Sequence, residues 1–201
     1  MKGRDRFDRG YYERYYGKEK TRVTSPEETE RLCRFVHAYL DFLGLAPRTV
    51  LDIGCGLGWW RTALLNIDGG IVYTGVEASA HLCEQLGWVR GSVVDYESPE
   101  PFDLVVCQGV LQYLPDHQAR RAVKNLGRLA DKALYLEVLT RRDWEENVDR
   151  ETTDGDVHRR EGYWYRRLLH HRFLECGGGL FVRKDAGTCL LELEHFPEEK
   201  T

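Results

Sequence analysis

Residues 49–58, Thr-Val-Leu-Asp-Ile-Gly-Cys-Gly-Leu-Gly, decide the fold of this chain. The first five residues are a short apolar run that predicts a buried strand. Three alternating glycines then predict a tight turn, because glycine accepts positive φ and lets a ligand approach the backbone closely. These glycines are Gly54, Gly56 and Gly58. A helical pattern begins at Leu57, and the free N–H groups at a helix start complete a seat for a ligand.

The spacing of the glycines restricts which ligand fits. Asp52 ends the strand, so the motif reads Asp-x-Gly-x-Gly-x-Gly. A dinucleotide-binding turn carries Gly-x-Gly-x-x-Gly, whose helix start holds a pyrophosphate, and that pattern is missing here. A P-loop is excluded as well, because the chain has no Gly-x-x-x-x-Gly-Lys-Ser/Thr. Taken alone, the turn is equally typical of an ordinary strand-to-helix connection.

Strands and helices alternate from residue 45 to residue 139. Apolar runs predict further strands over residues 71–77, 88–94, 102–108 and 133–139. Helical spacing predicts helices over residues 58–66, 79–86 and 116–130. Because the strand runs are continuous rather than alternating, we expect strands buried on both faces of a parallel sheet. The predicted fold class is therefore α/β, a doubly wound, mostly parallel sheet with helices on both faces.

The flanking segments complete one predicted domain over residues 1–201, built around a core at residues 45–139. Residues 1–44 are predicted to form a helical cap. Its main helix begins with a capping box, in which Ser25 is the N-cap and Glu28 follows three residues later. We expect this cap to lie over the core as part of the same domain.

After the core, residues 140–162 are polar and rich in Asp, Arg and Glu, which predicts a mobile loop or a lid. Residues 163–201 are predicted to contain a terminal helix, over about 160–175, and a hairpin. The predicted hairpin strands are residues 180–184 and 188–195, joined by the turn signal Asp185-Ala186-Gly187.

Composition and charge argue against several classes of protein. The formal net charge of −4 and the isoelectric point near 6.0 give no global support for binding nucleic acid or an anionic membrane. No apolar run approaches the roughly 18 residues of a membrane span, and residues 1–14 lack the apolar segment of a secretion signal. The six cysteines are scattered without a Cys-x-x-Cys pair, which predicts reduced thiols. We therefore expect a cytoplasmic protein, with no metal site.

Two further motifs follow the glycine turn at successive strand ends. Glu77 ends the second predicted strand, where a carboxylate can accept both hydroxyls of a ribose. Residues 102–114 form an apolar strand that continues past Gln108 into a loop. In this order the motifs resemble the class I, seven-stranded S-adenosylmethionine-dependent methyltransferases over residues 45–139. The resemblance implies a seven-stranded sheet with a C-terminal antiparallel hairpin, and S-adenosyl-L-methionine as the cofactor.

The resemblance also implies which residues bind the cofactor. The glycine turn would hold its methionine and ribose region, and Asp52 would orient that turn or the cofactor's amino group. Glu77 would accept the ribose hydroxyls, and Gln108 would contact the methionine end. Arg22 would pair with the cofactor's carboxylate, unless it is simply an exposed arginine.

The adenine contact is predicted with two alternatives. Many members of the family have Gly-Asp where this chain has Gly91-Ser92, and there the Asp accepts from the adenine amine. Here Ser92 and the backbone N–H of Val93 would contact the adenine, or Asp95 would replace the missing Asp after a shift of the loop. The sequence does not decide between them.

Catalytic residues are less well indicated, because methyl transfer depends mainly on positioning and needs a base only if the acceptor must lose a proton. The candidates are Tyr113, which would line the pocket or pack locally, and His158, which would be a base or a solvated loop residue. The N-terminal tyrosines would form an aromatic lid over the sulfonium or pack the cap onto the sheet. These tyrosines are Tyr11, Tyr12, Tyr15 and Tyr16.

The leading hypothesis is S-adenosylmethionine-dependent methyl transfer to a small molecule. The alternative is a non-catalytic methyltransferase-like module that binds the cofactor or a protein partner, and a nucleotide-dependent oxidoreductase is disfavoured by the glycine spacing. A basic run with interleaved aromatics over residues 158–172 would suit a nucleic acid, although its spacing also fits a solvated helix face. The acceptor and the oligomeric state leave no signal in the sequence.

Overall fold

Seven strands form one sheet in the computed structural model, which describes residues 6–17 and 24–196. In chain order they are β1 (Thr49–Ile53), β2 (Val72–Glu77), β3 (Val89–Arg90), β4 (Phe102–Gln108), β5 (Ala130–Glu137), β6 (Phe173–Gly177) and β7 (Leu180–Arg183). Their order across the sheet is β3-β2-β1-β4-β5-β7-β6. The first five strands are parallel, whereas β7 runs antiparallel to both β5 and β6. The predicted seven-stranded, mostly parallel sheet with a terminal antiparallel hairpin is confirmed.

Helices cover both faces of this sheet. They are α1 (Arg9–Tyr15), α2 (Pro26–Phe42), α3 (Trp59–Ile67), α4 (Ala80–Leu86), α5 (Asp116–Leu129), α6 (Arg141–Glu146) and α7 (Gly162–Leu169). Side chains of α2 and α3 share one hydrophobic core with one face of the sheet, and those of α5 and α7 share a second core with the other face. Successive residues of β4 alternate between the cores, since Val105 belongs to one and Val106 to the other. This two-sided burial explains the continuous apolar runs in the sequence.

The helix α2 begins as its sequence predicts. The Ser25 hydroxyl accepts a hydrogen bond from the Glu28 backbone N–H at 3.1 Å, and the Glu28 carboxylate accepts one from the Ser25 N–H at 2.9 Å. Pro26 occupies the first helical turn, where its missing N–H costs nothing. The chain leaves the helix at Gly44, whose φ is +72°. The predicted capping box is therefore confirmed.

The hairpin was predicted in the wrong place. The strands are β6 and β7, and the reversal lies at Gly177, Gly178 and Gly179, whose φ values are +88°, +57° and +79°. The predicted turn at residues 185–187 is followed by no strand, because residues 188–195 contain only a 3₁₀ turn at Glu192–Glu194. Three consecutive left-handed residues favour glycine strongly, so the glycine triplet was the stronger turn signal.

Several element boundaries also differ from the prediction. Helix α7 ends at Leu169 rather than near residue 175, because the next residues pair as β6. Strand β3 has only two residues, and the chain turns away at Gly91. The side-chain amide of Asn125 holds the following loop by donating to the carbonyls of Val93 and Tyr96, each at 3.0 Å. Tertiary hydrogen bonds therefore decide these boundaries over local propensity.

The polar segment 140–162 is more structured than predicted. It contains α6, whose N-terminus has a second capping box between Thr140 and Asp143. Among residues 6–17 and 24–196, no helix is both long and apolar enough to span a membrane.

Arg160 anchors the end of this segment to the loop after β4. It is only 7% exposed, and its guanidinium donates to the Asp116 carboxylate at 2.8 Å and to the Tyr165 hydroxyl at 3.0 Å. It also donates to the backbone carbonyls of Leu111 and Leu114. A buried guanidinium is stable only when its donors are satisfied, so this network joins the insertion firmly to the sheet edge.

We expect Arg160→Met to lower the free energy of unfolding by about 2 kcal/mol, because it removes the buried guanidinium that donates to the Leu114 carbonyl, the Tyr165 hydroxyl and Asp116. Arg159→Met is the matched control, since Arg159 is exposed and stacks on the Trp144 ring at 4.1 Å. Urea unfolding of both variants measures the difference. Equal loss in the two variants would contradict the anchoring role.

Candidate functional site

The site lies where the carboxyl ends of β1, β2, β4 and β5 meet. The strand order reverses between β1 and β4, with β2 and β3 on one side and β5 on the other. Such a reversal opens a crevice at the carboxyl edge of an α/β sheet, and ligands bind in it. The residues that the structure brings to this edge are the glycine turn, Glu77, Gln108 and Glu137.

The glycine turn between β1 and α3 requires its glycines for steric reasons. Gly54, Gly56 and Gly58 have φ values of +85°, +50° and +76°, in the left-handed region that side chains disfavour. A Cβ on Gly54 would come within 2.3 Å of a Val110 methyl carbon, and one on Gly58 within 2.6 Å of the Trp88 ring. The glycines therefore serve both the turn and the close packing around it.

Trp88 supports the glycine turn, a role that the sequence motifs did not predict. Its indole N–H donates to the carbonyl of Gly56 at 2.9 Å. Its ring fills the space between Gly58 and Gly75, where a Cβ on either glycine would be 2.6 Å from a ring carbon. The available signal was Gly75 itself, because a lone glycine inside a strand marks close approach of another group.

Glu77 connects the glycine turn to the start of α4. One carboxylate oxygen accepts the N–H of Gly56 at 3.0 Å, and the other accepts the N–H groups of Ala78 and Ser79 at 2.8 and 2.9 Å. The residue is only 4% exposed. A carboxylate has about four lone-pair positions, so Glu77 keeps capacity to accept from a ligand hydroxyl.

Asp52 is buried behind the turn rather than open to the crevice. It is 2% exposed and accepts a hydrogen bond from the Tyr73 hydroxyl at 2.6 Å. Burial raises the pKa of Asp52 to about 7, against the lowering effect of the Tyr73 hydrogen bond and with a further rise from the Glu77 charge. The Tyr73 hydroxyl thus ties the Asp52 side chain to the neighbouring strand β2.

Gln108 joins the ends of β4 and β5 to helix α3. Its side-chain oxygen accepts from the Trp60 indole at 2.7 Å, and its amide donates to Glu137 at 3.1 Å. The Tyr135 hydroxyl donates to the same Glu137 oxygen at 2.9 Å. Gln108 is therefore held in place, and Glu137 becomes a neighbour of the site that the sequence did not indicate.

The candidate adenine residues share the turn after β3. The Ser92 hydroxyl accepts the Val94 N–H at 3.2 Å, and Asp95 is exposed on the far side of the turn from the buried Val93. Within the described residues the Val93 N–H has no hydrogen-bond partner. Arg22, the remaining predicted ligand, lies outside the described residues.

The N-terminal tyrosines lie over the glycine turn. The Tyr11 and Tyr113 hydroxyls are 2.8 Å apart, and the Tyr16 ring is 5.8 Å from the Trp59 ring at the start of α3. Tyr12 reaches within 3.9 Å of the position that a Cβ on Gly56 would take. None of the α1 residues is fully buried, so this helix is a cover on the site rather than part of either core.

Ion pairs join this cover to the insertion. Arg6 contacts the carboxylates of Asp154 at 2.8 Å and Asp156 at 3.1 Å, and its guanidinium lies 4.6 Å from the Tyr113 ring centre. The backbone N–H of His158 donates to the Gln112 carbonyl at 2.7 Å. The N-terminal segment and the insertion thus meet above the end of β4.

The two candidate catalytic residues differ in what they can do. Burial raises the pKa of Tyr113 to about 12, although the Tyr11 hydroxyl and Arg6 lower it. Tyr113 is therefore protonated near neutral pH and can orient an acceptor by hydrogen bonding, but it does not serve as a base. The His158 side chain is exposed, and the residue is held in place by the hydrogen bond from its backbone N–H to the Gln112 carbonyl. In the described part of the chain no three His, Cys, Asp or Glu residues group as metal ligands.

Comparison with known families agrees with this edge-of-sheet geometry. The family model described as "Methyltransferase domain" matches residues 26–179, which include the first six strands in chain order, β1 to β6. The chain belongs to this methyltransferase domain family. The match covers the glycine turn, Glu77, the loop after β3 and the end of β4.

The chain is also similar to curated methyltransferases over part of its length. It is 27% identical over 146 residues to a trans-aconitate 2-methyltransferase of Rhodopseudomonas palustris, covering 62% of this chain and 57% of the relative. A relative of the same name from Azoarcus is 30% identical over 88 residues, covering 38% of this chain and 35% of the relative. The chain thus spans little more than half the length of the first relative and about a third of the second.

Among solved structures, magnesium protoporphyrin IX methyltransferase from Synechocystis, with bound S-adenosylhomocysteine, has a TM-score of 0.63 at 18% identity. The structural match covers 90% of this chain and 98% of the Synechocystis chain. An N-methyltransferase from Bradyrhizobium japonicum, also with S-adenosylhomocysteine, has a TM-score of 0.59 at 17% identity, covering 88% and 98%. At these identities the likeness concerns the fold of the methyltransferase domain.

We expect Trp88→Phe to loosen the glycine turn, because phenylalanine keeps an aromatic ring but cannot donate to the Gly56 carbonyl. The loss of one such hydrogen bond corresponds to about 1 kcal/mol of local stability. Hydrogen exchange of the peptide containing residues 54–58 should accelerate about fivefold. Trp144→Phe, in the insertion, is the control and should leave this peptide unchanged; the same exchange rate in both variants would contradict the support by Trp88.

We expect Asp52 to make the domain less stable as the pH rises from about 4 to about 7. In this range the folded protein keeps the Asp52 proton while the unfolded chain, with its lower pKa, releases it. The free energy of unfolding should fall by a few kcal/mol between pH 5 and pH 8, and Asp52→Asn should remove much of that fall. Denaturant unfolding at both pH values tests this, with exposed Asp41→Asn as the control. An undiminished fall in Asp52→Asn would refute the assignment.

Proposed function

We propose that this domain transfers a methyl group from S-adenosyl-L-methionine to a small-molecule acceptor. The observation that carries the proposal is the glycine turn and the buried Glu77 carboxylate at the point where the strand order reverses. The relatives are named as trans-aconitate 2-methyltransferases, and similar folds have been solved with S-adenosylhomocysteine, which supports the same chemistry here.

The residues at the edge fit this cofactor. Glu77 keeps acceptor capacity for ribose hydroxyls, and the nearest atom to a Cβ on Gly56 would be a Tyr12 ring carbon at 3.9 Å, so this ring would lie beside the sugar. The Val93 N–H has no partner in the described part of the chain and suits an acceptor nitrogen of adenine. The tyrosine rings above the turn offer faces that attract a sulfonium.

When bound, S-adenosylmethionine supplies an activated methyl group on a sulfonium, and the sulfur keeps the electron pair when that methyl leaves. The part of this chain in the reaction is to hold the acceptor in line and to exclude water. Tyr11 and Tyr113, whose hydroxyls are neutral, can orient the acceptor by hydrogen bonding. The proposal requires no general base for an acceptor that already has a lone pair available.

We also propose that residues 6–17 and 140–162 act together as the cover of the acceptor site. The pairing of Arg6 with Asp154 and Asp156 supports this, as does the anchoring of the insertion by Arg160. A cytoplasmic location is proposed on the free state of all six cysteines, two of which, Cys33 and Cys107, are fully buried.

Calorimetry with S-adenosylhomocysteine tests the cofactor assignment. Glu77→Gln should weaken binding about tenfold or more, because an amide replaces one acceptor oxygen with a donor. Glu84→Gln, on the exposed side of α4, is the matched control and should bind normally. Circular dichroism checks that both variants are folded.

The wild-type protein provides a second arm that does not depend on the stability of any variant. S-adenosylhomocysteine should bind, and NAD should not. Binding of NAD without binding of S-adenosylhomocysteine would sink the proposal.

A further inference from the structure

The region above the end of β4 is rich in hydrogen-bond acceptors. We call it the acceptor region and define it by Tyr11, Tyr16, Tyr113, Gln112 and Glu137. Tyr11 and Tyr113 touch through their hydroxyls, and Tyr11 and Tyr16 have ring centres 6.4 Å apart. Glu137 ends β5 opposite Gln108, and its backbone carbonyl accepts the N–H of Gly109 at 2.9 Å, so Glu137 and Gln112 belong to the same end of the sheet.

Among the described residues, several carboxylates lie near this region. Besides Glu77 and Glu137, the insertion contributes Asp154 and Asp156. Asp154 is well covered, with its side chain 12% exposed, whereas Asp156 is 91% exposed.

The nearby cations are already engaged. Arg6 pairs with both Asp154 and Asp156, and Arg160 is buried against Asp116 and two carbonyls. Arg14 lies over the Tyr15 ring, 5.1 Å from its centre. A ligand with carboxylates would find no unoccupied guanidinium among these three residues.

Two oxygens in the region are available to accept hydrogen bonds. The side-chain oxygen of Gln112 is buried and has no partner in the described part of the chain. The Gln112 amide lies beside Gly109, the residue after β4, 3.7 Å from where a Cβ would stand. Glu137 accepts its two bonds, from Gln108 and Tyr135, on one oxygen, and within the described ranges its other oxygen accepts none.

The tyrosines add neutral hydroxyls and ring faces. Burial raises the pKa of Tyr11 and Tyr16, so both stay protonated at physiological pH. A buried acceptor oxygen without a partner destabilises the protein, and a ligand N–H would satisfy it. Aromatic faces and carboxylates both stabilise a positively charged nitrogen.

We propose that the methyl acceptor of this site is an amine, bound through its N–H groups to the Gln112 and Glu137 oxygens with the tyrosine rings around it. The inference rests on the proposed methyl transfer and adds the class of substrate. It differs from trans-aconitate, the carboxylate after which the curated relatives are named. A polycarboxylate would be placed near the carboxylates of Glu137, Asp154 and Glu77. Repulsion between these like charges opposes its binding.

The transfer balances for an amine. An amine that binds as an ammonium first releases one proton to water, which frees the nitrogen lone pair. This lone pair forms the new bond to the methyl carbon while the carbon–sulfur bond breaks, and the electron pair of that bond stays on sulfur as a neutral thioether. Positive charge thus moves from sulfur to nitrogen, and the resulting ammonium then releases a proton to water. Glu137 favours this step, because its negative charge lies near the atom where positive charge develops.

The test compares three ligands of similar shape that differ in charge. Calorimetry measures the binding of each ligand to the whole protein, with and without saturating S-adenosylhomocysteine. The ligands are phenethylamine, 2-phenylethanol and 3-phenylpropanoate. Phenethylamine should bind about tenfold more tightly than 3-phenylpropanoate, with the alcohol between them. Trans-aconitate is included as a fourth ligand and should bind no better than 3-phenylpropanoate.

A variant then locates the preference. Glu137→Gln keeps the shape and an acceptor for Gln108 and Tyr135 but removes the charge, so phenethylamine should bind about as weakly as 2-phenylethanol. Its affinity for S-adenosylhomocysteine should change less than about twofold, because Glu137 is assigned to the acceptor and not to the cofactor. Glu145→Gln, exposed in α6, is the control and should retain the amine preference.

The outcomes separate this inference from the proposed function. Tighter binding of either carboxylate, or the same affinity for all three phenyl ligands, overturns the amine assignment even if S-adenosylhomocysteine binds. Failure of S-adenosylhomocysteine to bind overturns the proposed function instead. In that case the titrations without S-adenosylhomocysteine still show whether the acceptor region binds the amine or the carboxylates more tightly.

Discussion

The backbone of Gly56 is the point on which the site depends. Its N–H donates to the Glu77 carboxylate and its carbonyl accepts from the Trp88 indole, so the turn is held from two sides. The left-handed φ values of the turn limit the directions in which this N–H and this carbonyl can point. The neighbouring Gly54 and Gly58 lack Cβ atoms, which would otherwise collide with Val110 and Trp88. One small turn therefore joins β1, the end of β2 and the start of β3.

This arrangement places several acidic groups close together at one edge of the sheet. Asp52 is buried with a raised pKa, whereas Glu77 is compensated by three backbone N–H groups. Backbone N–H donors offset the loss of water around a buried carboxylate such as Glu77. The Glu137 carboxylate is exposed and accepts from two side chains on one oxygen, which leaves its other oxygen for a positively charged or donor-rich ligand.

The cover over the site combines two segments that are far apart in the chain. Arg6 and Asp154 are joined by an ion pair, and Tyr11 and Tyr113 by their hydroxyls. Neither segment contributes much to the hydrophobic cores, so the cover depends on polar contacts and ring contacts at the edge. The contacts of residues 6–17 are weaker than core packing, so this part of the cover can separate from the sheet at modest cost, whereas buried Arg160 anchors the insertion.

Local signals in the sequence determined much of this protein. Continuous apolar runs predicted the parallel strands, the Ser25 capping box predicted the start of α2, and the glycine spacing predicted a turn unsuited to a pyrophosphate. These features succeed because each depends on neighbouring residues alone: side-chain periodicity, a cap three residues away, or the φ that glycine permits. The hairpin was misplaced because two glycine-containing turns competed, and only pairing of β7 with β5 selected the triplet at residues 177–179.

Tertiary structure alone decided the rest. Trp88 lies under the glycine turn, Glu137 joins the acceptor region, and Gln112 keeps a buried oxygen without a partner in the described residues, yet none of them belongs to a recognisable local pattern. Their roles arise from the distances between strand ends that are far apart in the chain. The sequence by itself determined the fold and the seat of the proposed cofactor, because both follow from short-range geometry. The surroundings of the acceptor depend on which distant side chains the closed sheet edge brings together.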